Sequence, residues 1–146
     1  MRWNTIARTA CVCAGLALVL AACGPTEPGA SGSVFDVTIK DFKVRPSKPT
    51  AAAGTVTLSV SNIGPTTHEF VVVRTGLPDR ELPIGADGLS VDEDRLDDVD
   101  EIEVVEDGST EQVTVRLDPG RYVFFCNFEG HYLAGMHAAV RVVGDA

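Results

Sequence analysis

Beyond residue 33 polar and apolar residues alternate mostly with a period of two, the spacing that sends successive side chains to opposite faces of a strand. Residues 34–44 alternate in pieces, with Phe35, Val37 and Ile39 on one face, before Pro46 and Pro49 stop the run. Gly54 opens residues 55–61, where Val56, Leu58 and Val60 alternate with hydroxyl side chains. Turn residues fill 62–67, and a short β-branched run then predicts a strand that begins at His68 and is ended by Gly76 and Pro78. Alternation returns at 111–117, with Val113, Val115 and Leu117 on one face. After the Asp118-Pro119-Gly120 turn, Tyr122, Phe124 and Cys126 share one face and Val123 and Phe125 the other, so this strand is covered on both sides. A last strand spans 138–143. About seven strands in roughly 110 residues predict one all-β domain, an antiparallel Greek-key β-sandwich.

Between 77 and 108 the alternation fades, and eleven acidic residues from Asp87 to Asp107 face a single basic one, Arg95. Ser90 and Glu93 have the spacing of a capping box, which predicts a short helix through about residue 98 with Asp92, Glu93 and Asp94 against its dipole. The expectation is an acidic helix or loop excursion on the surface.

The N-terminus has the form of an export signal. Arg2 and Arg8 precede an apolar run over 11–20 that is too short to span a bilayer, which takes about 20 residues. The run ends in Leu20-Ala21-Ala22-Cys23, which resembles the lipobox of bacterial lipoproteins; the resemblance implies cleavage before Cys23 and a lipid on its sulfur. Residues 1–22 are then a signal peptide, 23–33 a flexible tether rich in proline, glycine and serine, and 34–146 the folded domain. The location expected is extracytoplasmic, anchored to the bacterial cell membrane through Cys23.

Removing the signal changes both the charge and the cysteine count. It takes away Arg2 and Arg8 and no acidic residue, leaving ten basic residues against 21 acidic ones, a net charge of −11. Nucleic-acid affinity comes from Lys and Arg neutralising phosphates, so such a chain is not built for nucleic acid. Of four cysteines, Cys11 and Cys13 leave with the signal and Cys23 carries lipid, so Cys126 is the one remaining thiol. A single thiol in an exported protein pairs between molecules, lies buried and inert, or holds a metal.

Cys126, His131 and Met136 recur five residues apart at the exit of a strand, and His68 opens another strand far upstream. Two imidazoles, a thiolate and a weak axial thioether form the donor set of blue-copper electron-transfer sites, whereas structural zinc takes four strong N or S donors. Singly, each residue has a plainer reading: a surface or core histidine, a buried thiol, a gap-filling methionine.

The whole domain resembles the cupredoxins, the small blue type 1 copper family. The resemblance rests on Thr67-His68-Glu69-Phe70 after a Gly-Pro turn, on Asp118-Pro-Gly-x-Tyr122-x-Phe-x-Cys126, and on Cys126-x4-His131-x4-Met136, with Asp41-Phe42 and Gly54-Thr-Val matching the first strands. It implies that His68, Cys126 and His131 are equatorial ligands and Met136 the axial ligand of one copper ion cycling between Cu+ and Cu2+. Many members carry an asparagine after the first histidine that braces the cysteine loop. Here Glu69 stands there, so bracing is expected from Thr66, Thr67 or Asn127. His137 matches no ligand position and is expected to face solvent. The function implied is one-electron transfer by a monomer, without catalysis. A cytochrome- or oxidase-type redox partner would dock on an apolar patch of Ile63, Pro65, Leu133 and Ala134 around the edge of His131. The alternative is storage or delivery of copper without electron transfer.

Overall fold

Two sheets pack face to face over the side chains that the alternation selects. The computed structural model describes residues 32–144. The signal segment, Cys23 and the tether through residue 31 lie outside the described residues, and Ser33 already opens the first strand. One sheet orders β2 (Lys43–Pro46), β1 (Ser33–Lys40), β4 (Gly54–Asn62) and β7 (Thr110–Leu117). The other orders β3 (Thr50–Ala52), β9 (His137–Val143), β8 (Gly120–Phe125), β5 (His68–Arg74) and β6 (Asp97–Val105). Phe35, Val37, Ile39, Val56, Leu58 and Val60 from the first sheet meet Phe70, Val72, Tyr122, Phe124 and Val140 from the second in one core. The β-sandwich expected from the sequence is therefore present.

Its strands number nine among the described residues, and two pairings, β1 with β4 and β3 with β9, are parallel rather than antiparallel. The cause lies in the first run of alternation, which is broken at residues 41–42. β2 folds back on β1 there, and the chain then crosses to the edge of the other sheet as β3 before returning as β4. Two crossings bring β4 back alongside β1 in the same direction.

The acidic excursion also departs from expectation. Only Glu93–Arg95 form a single 3₁₀ turn, whose N-cap Asp92 makes no side-chain cap. Ser90 does not cap a helix; instead Asp87 Oδ1 accepts from the amides of Leu89 (3.0 Å) and Ser90 (3.2 Å), which stabilises a turn. Residues 97–105 form the edge strand β6. Its pairing with β5 slips twice, and each time β6 contributes the extra residue, so its inward side chains Val99, Ile102 and Val105 recur every three positions. Upstream, Leu82, Ile84, Val91 and Leu96 lie as a strap across the outer face of β5 and β8, covering Val71, Val73, Val123 and Phe125. That strap explains why β8 is apolar on both faces.

The two ends of the sandwich are chemically distinct. At one pole β5 begins and β8 ends; at the other β1, β4 and β8 begin and β9 ends. Buried Asn62 organises the turn at the first pole. Its Nδ2 donates to the carbonyls of Thr66 (2.8 Å) and Val105 (3.0 Å), and its Oδ1 accepts from Gly64 N–H (3.0 Å). At the second pole the Tyr122 hydroxyl accepts from Asp118 N–H (3.1 Å) and donates to Asp118 C=O (3.0 Å), closing the turn between the sheets. Asn62→Ala strands three backbone groups, and is expected to lower the unfolding free energy by about 2–3 kcal/mol in urea titration with an unchanged slope. A loss within error of zero would show that water replaces the side chain.

Candidate metal centre

Antiparallel pairing fixes where the donors meet. Val71 sits opposite Phe125, so the start of β5 lies beside the residues that follow β8. His68 opens β5 fully buried, and Cys126 leaves β8 fully buried on the core face. Glu69 N–H donates to Cys126 Sγ at 3.3 Å, joining the two strand ends at the sulfur itself. The chain then turns through 127–136. His131 N–H donates to Phe128 C=O at 2.9 Å, and Met136 N–H donates to His131 C=O at 3.1 Å. Cys126 N–H closes the loop on Met136 C=O, also at 3.1 Å. Gly135, at φ +105°, makes the reversal that a side chain would strain, and Met136 enters the buried core beside Cys126.

Three donor atoms converge as a result. Cys126 Sγ stands 3.4 Å from His131 Nδ1 and 3.9 Å from His68 Nδ1, and the two Nδ1 atoms are 3.2 Å apart. Donors sharing one ion at about 2.0–2.3 Å stand about 3.3–3.8 Å from one another, so the triangle has the size of a coordination sphere. His68 Nε2 donates to Asp41 Oδ1 at 2.9 Å, which leaves Nδ1 with a bare lone pair aimed at the other two donors. Asp41 is itself held by the Thr66 hydroxyl at 2.5 Å. That bond, then the His68 contact, keeps the Asp41 carboxyl below its ordinary range, while burial holds His68 low against the pull of Asp41. Both shifts favour a neutral, ligating imidazole backed by a charged carboxylate, the arrangement that orients metal-binding histidines.

Burial pushes the Cys126 thiol up to about 11, against the amides of Phe128 and Glu69 that stabilise its thiolate. Without a metal the sulfur is therefore protonated at neutral pH, and binding an ion displaces that proton. Two imidazoles, a thiolate and a nearby buried thioether suit one type 1 copper ion and offer zinc too few strong donors.

The bracing of the cysteine loop is shared. Asn127 accepts from Val91 N–H at 2.7 Å and donates to Val91 C=O at 3.1 Å and to Glu93, pinning the loop to the strap. Glu69 takes part as an acceptor of the Asn127 backbone N–H; its carboxyl is pushed up to about 7 by burial first and then by Glu93 and Glu101. Thr66 supports Asp41, whereas Thr67 turns to Glu106 at 2.8 Å. Tyr132 is buried, accepts from Leu82 N–H (3.0 Å) and donates to Asp79 C=O (2.9 Å), a second fastening to the strap. His137 stands outside the donor cluster, as read from the sequence, but its side chain is only 13% exposed because Asp79 Oδ2 holds Nδ1 at 2.8 Å. His131 is partly exposed, and Ile63, Pro65, Leu133 and Ala134 are all exposed. Phe42 and Phe128 set their rings edge-on to the His131 imidazole, at 5.0 and 5.8 Å. Asp41 and Phe42 were legible only as a match to a first strand, since nothing in their spacing from His68 signals contact.

Comparison with known proteins agrees with this fold. A cupredoxin-like domain model matches residues 12–137. The dithionite-reduced auracyanin of Roseiflexus castenholzii superposes with a TM-score of 0.55 at 22% identity, over 79% of this chain and 99% of that one. An azurin from Methylomonas sp. strain J gives 0.54 at 17% identity, over 76% and 98%. Rusticyanin from Thiobacillus ferrooxidans gives 0.53 at 18%, over 77% and 79%. No curated protein matches the sequence.

The raised thiol predicts protection. In metal-free protein at pH 8, alkylation of Cys126 read by peptide mass spectrometry is expected to run about 100-fold slower than in urea, from thiolate population alone. Comparable rates in the two states would contradict the buried, protonated thiol.

Proposed function

The chain belongs to the cupredoxin-like domain family, and from that premise we propose that it is an extracytoplasmic one-electron carrier in which His68, Cys126, His131 and Met136 hold one type 1 copper ion. The observation that carries this reading is the convergence of one sulfur and two Nδ1 atoms within 3.2–3.9 Å of each other. When bound, copper supplies a one-electron couple between Cu+ and Cu2+.

The protein's part is to fix the donors and to give the electron a way out. Asp41 holds the ring of His68, and the amides of Glu69 and Phe128 donate to the sulfur, which tunes a metal–thiolate couple. Met136 would hold the ion weakly through its thioether, and it is kept from water in the core. Of the four, only His131 reaches solvent, and the rings of Phe42 and Phe128 stand edge-on to it; Ile63, 66% exposed, and Leu133, 54% exposed, are the apolar side chains offered to a partner there. A redox protein of cytochrome or oxidase type docks there briefly, over a small area, with the imidazole edge as the exit. The likeness to an auracyanin studied in its reduced state supports a redox role.

An enzymatic role has less support. Multinuclear copper catalysis draws on more histidines than the three in the sequence, of which His137 is engaged by Asp79. Storage or delivery is separated from electron carriage by kinetics: a carrier exchanges electrons rapidly and reversibly and keeps its metal, whereas a store releases copper readily and exchanges slowly. The anchor belongs to the same reading, with residues 1–22 removed and a lipid on Cys23.

Copper(II) added to the purified domain is expected to give an intense visible thiolate-to-copper band; full loading without colour would overturn the assignment. Cys126→Ser removes the band, and Met136→Leu retains it at a shifted potential measured by voltammetry. Cys23→Ser releases the protein from the membrane fraction, and continued anchoring would refute lipidation.

A further inference from the structure

At the pole opposite the donor cluster, Arg121 on β8 and Arg141 on β9 are cross-strand partners. Both are exposed, and with Pro49, Pro119 and Val143 they line an open groove of ≈ 700 Å³. Like charges facing each other across an antiparallel pair repel, so the pair costs stability. Neither has a carboxylate partner among the described residues, where the ion pairs are both between histidine and aspartate. Arg74 reaches the same turn from β5. Its guanidinium donates to Pro119 C=O at 3.0 Å, and a Cβ on Gly120 would meet its Nε at 3.0 Å, so the turn is shaped around it. Arg74 thus has a structural task, whereas Arg121 and Arg141 make no side-chain hydrogen bond or ion pair among the described residues.

The chain enters the sandwich at this same pole, where Ser33 pairs with Val56. Nine peptide steps lead from Cys23 to Gly32, a reach of at most about 30 Å. Most of the acid lies elsewhere, along β6, on the strap and around the donor pole. Among the described residues the exceptions are Asp36 midway along β1, Asp118, just before Pro119, and Asp97 and Asp98, which open β6 two strands away from β8.

We propose that the arginine groove binds the phosphates of anionic phospholipids in the membrane that carries the anchor, standing the domain with its donor cluster away from the bilayer. This rests on the reading of Cys23 as lipidated. The affinity required is small, because a short tether raises the local concentration of one surface at the other to about the millimolar range. Pro49, Pro119 and Val143 around the guanidiniums supply an apolar rim for the headgroup region.

The chain begun at Gly24 retains every described strand of both sheets and lacks the anchor. It is expected to co-sediment with phosphatidylglycerol vesicles at about 10 mM ionic strength, where screening extends about 30 Å, and to be released near 0.15 M. It should ignore phosphatidylcholine. Each arginine near an anionic surface contributes about fivefold, so Arg121→Gln with Arg141→Gln should weaken binding about 25-fold. Both side chains are exposed, and an unchanged or raised unfolding midpoint shows that the double variant is folded. Equal binding to the two lipids, or undiminished binding by the folded double variant, would overturn the proposal. So would saturable binding of inorganic phosphate without vesicle binding, which marks a small-anion site. Because this chain lacks Cys23, its result is independent of the membrane release expected of Cys23→Ser.

Discussion

In an antiparallel pair the first residues of one strand lie beside the last residues of its neighbour, and here that constraint makes a cluster from residues far apart in sequence. The pairing of β5 with β8 brings His68 to Cys126, and the hydrogen bond from Glu69 N–H to the sulfur fixes their relative height. Everything else at the donor pole adjusts to that junction. Asn62 sets the turn that delivers His68, Asp41 orients its ring, and the loop closed by Cys126 and Met136 returns His131 to the same point.

The strap over 79–96 has a double role. Its apolar side chains cover the outer face of β5 and β8, and its polar groups hold the loop after Cys126 through Asn127 and Tyr132. Covering the sheet also crowds carboxylates. Glu69, Glu93 and Asp98 are all raised, by burial first and also by neighbouring acids, for Glu93 against the lowering hydrogen bond from Asn127. A raised carboxyl destabilises the fold at pH values above its folded value and ceases to do so below its unfolded one. This group of acids therefore weakens the fold most above about pH 7, the value given for Glu69, and the cost fades as pH falls toward the ordinary carboxylate range.

Much of this was legible in the sequence. Period-two alternation located Phe35, Val37 and Ile39, then Val56, Leu58 and Val60, in the core, and the doubly apolar β8 announced a sheet covered on both faces. The donor set was legible because its chemistry is unusual and its spacing short. The missed elements share one cause, which is that their logic is tertiary. β6 hides its alternation because two bulges stretch the inward spacing to three, and the residues just before it carry the spacing of a capping box. The parallel pairing of β1 with β4 follows from two sheet crossings that no local pattern encodes. Asp41 and Asp79 act through His68 and His137, partners 27 and 58 positions away.

The bulges in β6 matter beyond concealing the strand. An edge strand offers a row of unpaired amides and carbonyls to any other chain, and an all-β protein must keep such rows from recruiting one another. β6 is the outer strand of its sheet, with Asp97, Asp98, Asp100, Glu101 and Glu103 exposed along it. Two irregularities in register and five like charges make that border a poor template for a tenth strand. The acidity that burdens the folded state at high pH thus also protects this edge against edge-to-edge aggregation.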